Sequence, residues 1–248
     1  MTKLRLSAAG LLLPLALLAC SKKAPEAGPA APAGPVAATA PPAGQDWTEV
    51  VSQTSDGGTR MGNPDAPVKL VEYASLTCPH CRDFTAEAAD PLRNNYIRTG
   101  KVSWEYRPFL LNGLDTAAFL LARCQGAGPF FKLAEQTYAD QLNWVGKYTK
   151  LTPAEQTAIG GMDPTVQFKK MAEAAGLDGF YRARGLPQAK ADQCLADVKS
   201  AEDLVRIRDH ATNDLNVTGT PTFFINGTIQ DQVYTWEALD KNLAKAIG

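Results

Sequence analysis

Short runs rich in β-branched and aromatic residues flank a long stretch of helical periodicity in this chain. Residues 68–74 (VKLVEYA) are mostly apolar and follow the loop chemistry of Asn63-Pro64-Asp65-Ala66-Pro67, so they predict a buried central strand. Residues 48–52 are expected to form a first strand upstream. Residues 82–96 have helix-forming composition, with a kink expected at Pro91, whose ring displaces an internal hydrogen bond. Gly100 ends that segment, and residues 101–107 (KVSWEYR) alternate as a second core strand.

From about residue 114 to residue 211 strand patterning is absent. The spacing of Phe119, Leu120 and Ala122, and of Phe131, Leu133, Ala134 and Tyr138, predicts several helices instead. Thr152-Pro153-Ala154-Glu155 predicts a helix start, with Thr152 as N-cap, Pro153 in the first turn and Glu155 closing a capping box. Asp163-Pro164 predicts another start, and residues 201–215 a longer helix. Strand character returns at 222–225 (TFFI), Asn226-Gly227 has the residues of a type I′ turn, and 228–232 predicts the hairpin partner. Residues 236–247 close the chain as an amphipathic helix. This order implies an α/β fold in which an all-helical subdomain, at about 114–200, is inserted between a βαβ half and a ββα half.

The first residues read differently. Lys3 and Arg5 precede an apolar segment at 8–19, which is too short for a permanent membrane span of about 20 residues and reads as a signal peptide over 1–19. Leu17-Leu18-Ala19-Cys20 resembles a bacterial lipobox, which makes Cys20 the expected lipidated residue and implies a lipid anchor in the bacterial periplasm or cell envelope. An ordinary secretory signal cut elsewhere is the alternative. Residues 20–44 are largely Ala, Pro and Gly, too poor in apolar surface to offset their ordering entropy, and are expected to form a linker before a folded part at 45–248. The formal charge of −1 and the lack of a basic block argue against a nucleic-acid partner.

Five cysteines change the picture most. With Cys20 set aside, an exported chain keeps an even four, read as two disulfides in an oxidising compartment. Cys78-Pro79-His80-Cys81 places two cysteines at the start of the helix that follows the central strand. There unpaired backbone N–H groups and the helix dipole favour a thiolate, so Cys78 is the expected nucleophile and Cys81 the shielded resolving thiol. His80 can add a donor or a positive charge near that thiolate, whereas His210, in a polar helical stretch, is expected to be an ordinary residue. Cys124 and Cys194 are read as a structural disulfide, with buried free thiols or a second redox couple as alternatives.

The element order, the Cys-Pro-His-Cys sequence and Thr220-Pro221 before the hairpin together resemble the DsbA-like branch of the thioredoxin superfamily, over roughly residues 60–248. The resemblance implies a thioredoxin-like fold and thiol-disulfide oxidoreductase activity, with no cofactor and no metal. It implies that Pro221 is a cis-proline whose preceding backbone accepts an extended substrate peptide, and that Glu72 is the buried acid beneath the active site. Within the family the best-known oxidase carries valine before this proline, whereas threonine, as at Thr220, is common in isomerases. The leading expectation is a monomeric oxidase that donates a disulfide to unfolded or reduced secreted proteins and is recycled by a DsbB-like membrane partner. An isomerase or reductase kept reduced by a DsbD-like partner comes second. A metal-binding module or a non-catalytic surface lipoprotein represents other classes.

Overall fold

The computed structural model describes residues 35–248. The signal peptide, Cys20 and most of the expected linker therefore lie outside the described residues. A mixed sheet is built from six strands: β1 (Val51–Gln53), β2 (Thr59–Met61), β3 (Val68–Ala74), β4 (Val102–Pro108), β5 (Thr222–Ile225) and β6 (Thr228–Ile229). Their spatial order is β1-β2-β4-β3-β5-β6. β3 and β4 run parallel, joined by helix α1 (Pro79–Asn95), while every other pairing is antiparallel. β3 is central and covered on both faces, which is why its sequence is almost continuously apolar.

Between β4 and β5 lie α2 (Gly113–Arg123), α3 (Phe130–Ala139), α4 (Gln141–Thr149), α5 (Pro153–Gly160), α6 (Pro164–Ala175), α7 (Leu177–Arg182), α8 (Gln188–Leu195) and the longer α9 (Val198–Asp214); α10 (Trp236–Ile247) ends the chain. α9 supplies Ile207 and Ala211 to a small cluster with Tyr73, Phe109, Val217 and Phe224 on one face of the sheet. The larger core lies on the other face, where Phe84 of α1 meets Phe223 of β5 at 4.6 Å between ring centroids and Trp104 of β4 meets Phe131 of α3 at 4.6 Å. Each such ring removed from water contributes about 1.5–3 kcal/mol. The βαβ half, the ββα half and the inserted helices form the thioredoxin-like arrangement with an inserted helical subdomain that the element order implies.

Several local expectations are met by particular caps and turns. Thr152 and Glu155 form the reciprocal capping box, Asp163 caps α6, and Asn226 and Gly227 take the left-handed φ values of 49° and 79° that a type I′ turn requires. Other regions depart from expectation. Residues 48–52 are not one strand: Asp46 and Glu49 close a capping box around a 3-10 turn at Trp47–Glu49, and β1 begins only at Val51. β2 was not anticipated, because its three residues carry little apolar pattern of their own. The hairpin strand after Gly227 stops at Ile229 rather than running to residue 232. Part of the Ala/Pro-rich segment lies against the fold: Val36 is buried and its N–H donates to Ile247 O at 2.8 Å, and Thr39 O accepts from Trp47 Nε1 at 2.7 Å.

Cys124, at the end of α2, is bonded to Cys194 in α8 across a sequence separation of 70 residues. A cross-link of that span restricts the unfolded chain by about 4 kcal/mol in the loop-entropy account. Replacing both cysteines with alanine is expected to lower unfolding stability by up to that amount in denaturant titration, with the fold and the 78–81 region retained.

Candidate active site

The chain leaves β3 at Ala74 and enters α1 at Pro79, so the four residues between them must turn sharply. Cys78 occupies the N-cap position of α1 without a side-chain cap bond, and Pro79 takes the first helical position, where its missing N–H costs nothing. Cys81 sits one turn further in, on the buried face of the helix. Neither sulfur is bridged, and the two are 4% and 0% exposed.

Their surroundings separate them chemically. The Cys78 sulfur receives a hydrogen bond from the Cys81 thiol; partial burial opposes ionisation, but the Thr220 hydroxyl and the backbone N–H groups of Cys81 and His80 also favour the thiolate. The balance pulls Cys78 down to about 5 from an ordinary thiol value of 9.0. Burial does the opposite to Cys81, which is pushed well above its ordinary range, with the Cys78 interaction and the charge of Glu72 acting the same way. The site thus pairs an ionised, forward sulfur with a neutral one behind it, the combination that thiol-disulfide exchange uses.

Thr220 and Pro221 close the site from the opposite side. Their peptide bond is cis, and Thr220 O accepts from the Cys78 thiol at 3.3 Å. The Thr220 hydroxyl makes no hydrogen bond among the described residues, which leaves it free to turn towards a thiolate at Cys78. A cavity of about 340 Å³ beside this contact is lined by His80, Thr218, Gly219, Thr220, Thr222 and Tyr234. The His80 ring is exposed and makes no hydrogen bond among the described residues, so its contribution at Cys78 comes through its backbone N–H. His210 is distant from this constellation, paired on the surface of α9 with Asp214 at 2.7 Å.

Glu72 lies in β3 beneath the cysteines, fully buried. Its Oε2 accepts from Trp104 Nε1 at 2.9 Å and its Oε1 has no partner among the described residues. Burial pushes the carboxyl up to about 8, so near neutral pH it holds a proton. Sequence reasoning missed the groups that support this layer: Trp104 itself, the Tyr106–Tyr138 hydroxyl pair at 2.7 Å, Gln141 and Asp115. Of these only Asp115 carries a signal, as the one charged residue between Arg107 and Arg123.

Comparisons with known proteins agree with this geometry. A family model described as Thioredoxin matches residues 54–245. A Rickettsia bellii protein named as a protein-disulfide oxidoreductase is 30% identical over 190 residues, which is 75% of this chain and 63% of that protein. A Rickettsia felis protein of the same name is 28% identical over 202 residues, 80% of this chain and 63% of its own. The chain thus spans under two thirds of the length of these relatives. Among solved structures, a protein-disulfide isomerase from Novosphingobium aromaticivorans is 29% identical with a TM-score of 0.73, covering 76% of this chain and 96% of its own. Wolbachia pipientis alpha-DsbA1 is 23% identical with a TM-score of 0.64, covering 79% and 94%, and shows the shared fold.

Two titrations follow from these environments. In the reduced protein the thiolate absorbance of Cys78 is expected to rise with a midpoint near 5, with Cys81 silent through neutral pH; a single midpoint above 8 would contradict the asymmetry. Glu72 binds its proton more tightly in the folded chain than in the unfolded one, so the folded form loses stability as pH rises from 4.5 towards about 8. Urea unfolding of the oxidised protein, where Cys78 no longer titrates, should show this loss in the parent and a smaller one in Glu72→Gln.

Proposed function

Because the chain belongs to the thioredoxin family and carries a forward, acidic sulfur at Cys78, we propose that it is an exported thiol-disulfide oxidoreductase that donates a disulfide to secreted or periplasmic proteins. The observation that carries this reading is the contrast between Cys78, drawn down to about 5, and Cys81, pushed well above its ordinary range. A thiolate stabilised in the reduced form makes the corresponding disulfide a stronger oxidant.

In the proposed cycle the Cys78–Cys81 disulfide is the oxidised form. A substrate thiolate attacks Cys78 Sγ, the bond to Cys81 breaks, and the Cys81 sulfur leaves with the electron pair. That sulfur is too poorly solvated to remain charged, and Glu72, protonated near neutral pH, returns a proton towards it. A second thiolate of the substrate then attacks the substrate sulfur of the mixed disulfide and expels Cys78 as its stabilised thiolate. The substrate dithiol is oxidised and the enzyme disulfide is reduced; of the two substrate thiol protons one replaces, by way of Glu72, the proton gained by Cys81, and one is released to solvent. Thr220 and Pro221 hold the substrate backbone beside Cys78, with the His80–Tyr234 cavity accommodating the neighbouring residues, while Pro79 and His80 tune the helix start. A DsbB-like membrane oxidase restores the disulfide, and Cys20, outside the described residues, tethers the protein to the cell envelope.

A second reading, an isomerase or reductase kept reduced by a DsbD-like partner, is favoured by Thr220 and by the likeness to the protein-disulfide isomerase from Novosphingobium. Equilibration with glutathione tests the donor reading. A disulfide donor is expected at a potential of about −180 mV or higher, and a value near the thioredoxin level of about −270 mV would overturn it. Trapping thiols in producing cells should find Cys78 and Cys81 mostly oxidised, and a mostly reduced pair would favour the second reading.

A further inference from the structure

The loop between β3 and α1 has no regular structure of its own, yet it is buried and carries the backbone on which Cys78 depends. Its polar groups are met by three of the inserted helices. Asp115, in the first turn of α2, accepts from Thr77 N at 2.9 Å, from the Ser75 hydroxyl at 2.8 Å and from the Thr77 hydroxyl at 3.0 Å, and the same carboxylate accepts from Leu111 N at 2.8 Å. Tyr138 of α3 donates its hydroxyl to Ser75 O at 3.0 Å. Gln141 of α4 donates one amide nitrogen to both Leu76 O at 2.8 Å and Cys78 O at 2.9 Å. All three side chains are buried, with Asp115 0% exposed.

Resting on the exchange reading above, we propose that Asp115, Tyr138 and Gln141 are positioning residues, a clamp through which the inserted helices hold Cys78 where α1 and Thr220 can stabilise its thiolate. None of the three touches the sulfur. Each fixes a backbone group within three residues of it, and the donors that make the thiolate favourable, the Cys81 thiol and the N–H groups of Cys81 and His80, work only over hydrogen-bond range. Asp115 suits the role because the groups around it are donors. Burial raises this carboxyl to about 6 against the pull of those donors; once ionised it accepts from four of them at once, and a carboxamide would turn an N–H towards one of those N–H or O–H groups. Gln141 suits it because its amide spans two carbonyls on either side of Thr77, fixing the turn rather than one residue. A clamp of this kind separates two effects that are otherwise easily confused. Above about pH 6, where the buried Asp115 carboxyl is ionised, removing its charge would by itself make ionisation of Cys78 easier, whereas releasing the loop makes it harder at any pH.

The full chain, reduced, is titrated by thiolate absorbance in three forms: parent, Asp115→Asn and Gln141→Met, the last keeping side-chain length while deleting the donor. Thermal unfolding of each is recorded alongside. The clamp predicts that the Cys78 midpoint rises by about one unit in each folded variant, with a roughly tenfold loss of thiolate and of alkylation rate at pH values below the parent midpoint. A folded Gln141→Met whose midpoint is unmoved overturns the proposal, as does a downward shift in Asp115→Asn, whatever happens to thermal stability. Should Asp115→Asn fail to fold, Gln141→Met decides alone. A parent thiol that titrates like free cysteine sinks the exchange reading and the clamp together, whereas an acidic parent thiol with unmoved variants sinks only the clamp.

Discussion

The arrangement depends on keeping a charged sulfur and a neutral sulfur one helical turn apart. Cys78 gains its charge from donors already oriented by the start of α1 and by Thr220, so no solvent reorganisation is needed when the thiolate forms. Cys81 is denied charge by burial on the core face of the same helix. A single helix start therefore sets both values, and the Pro79-His80 spacer decides that the second sulfur points inward rather than into water.

Holding that helix start in place requires polar groups to be buried, which costs free energy unless each finds a partner. An unmet buried donor or acceptor costs about 1–3 kcal/mol, and the layer under the cysteines contains many. Nearly all are paired: Trp104 with Glu72, Tyr106 with Tyr138, Tyr138 with Ser75, Gln141 with Leu76 and Cys78. The exception is Glu72 Oε1, which has no partner among the described residues. An unmet acceptor on a buried carboxyl is consistent with a group that holds a proton at rest and releases it when the sulfur above changes charge.

Much of the frame was legible in the chain because it rests on local rules. VKLVEYA has the composition only a doubly covered strand tolerates, Thr152 to Glu155 is a complete capping box, and Asn226-Gly227 satisfies a positive-φ turn. The cysteine pair was legible because spacing and helix polarity suffice to rank two thiols. β2 was not, since it is held by pairing with β1 and β4 rather than by an apolar face of its own. Residues 48–52 misled because Trp47 and Val50 look like strand residues, while the Asp46–Glu49 cap fixes a 3-10 turn. Gln141 and Tyr138 were illegible for a different reason. Their contacts span 63 to 65 residues of sequence, and helical periodicity shows that such side chains face inward but not what they meet there.

Thr220 brings the chemistry to its finest balance. Its carbonyl accepts the Cys78 thiol proton and so favours the neutral sulfur, while its hydroxyl favours the thiolate. The two influences oppose each other on one atom, and each tenfold change in the ratio of reduced to oxidised forms is worth about 30 mV for a two-electron couple. Valine at this position would keep the carbonyl and delete the hydroxyl, leaving the thiolate with the Cys81 thiol and the helix N–H groups alone. Members of one fold can therefore be spread along the range between disulfide donor and disulfide shuffler by a single side chain that never reacts.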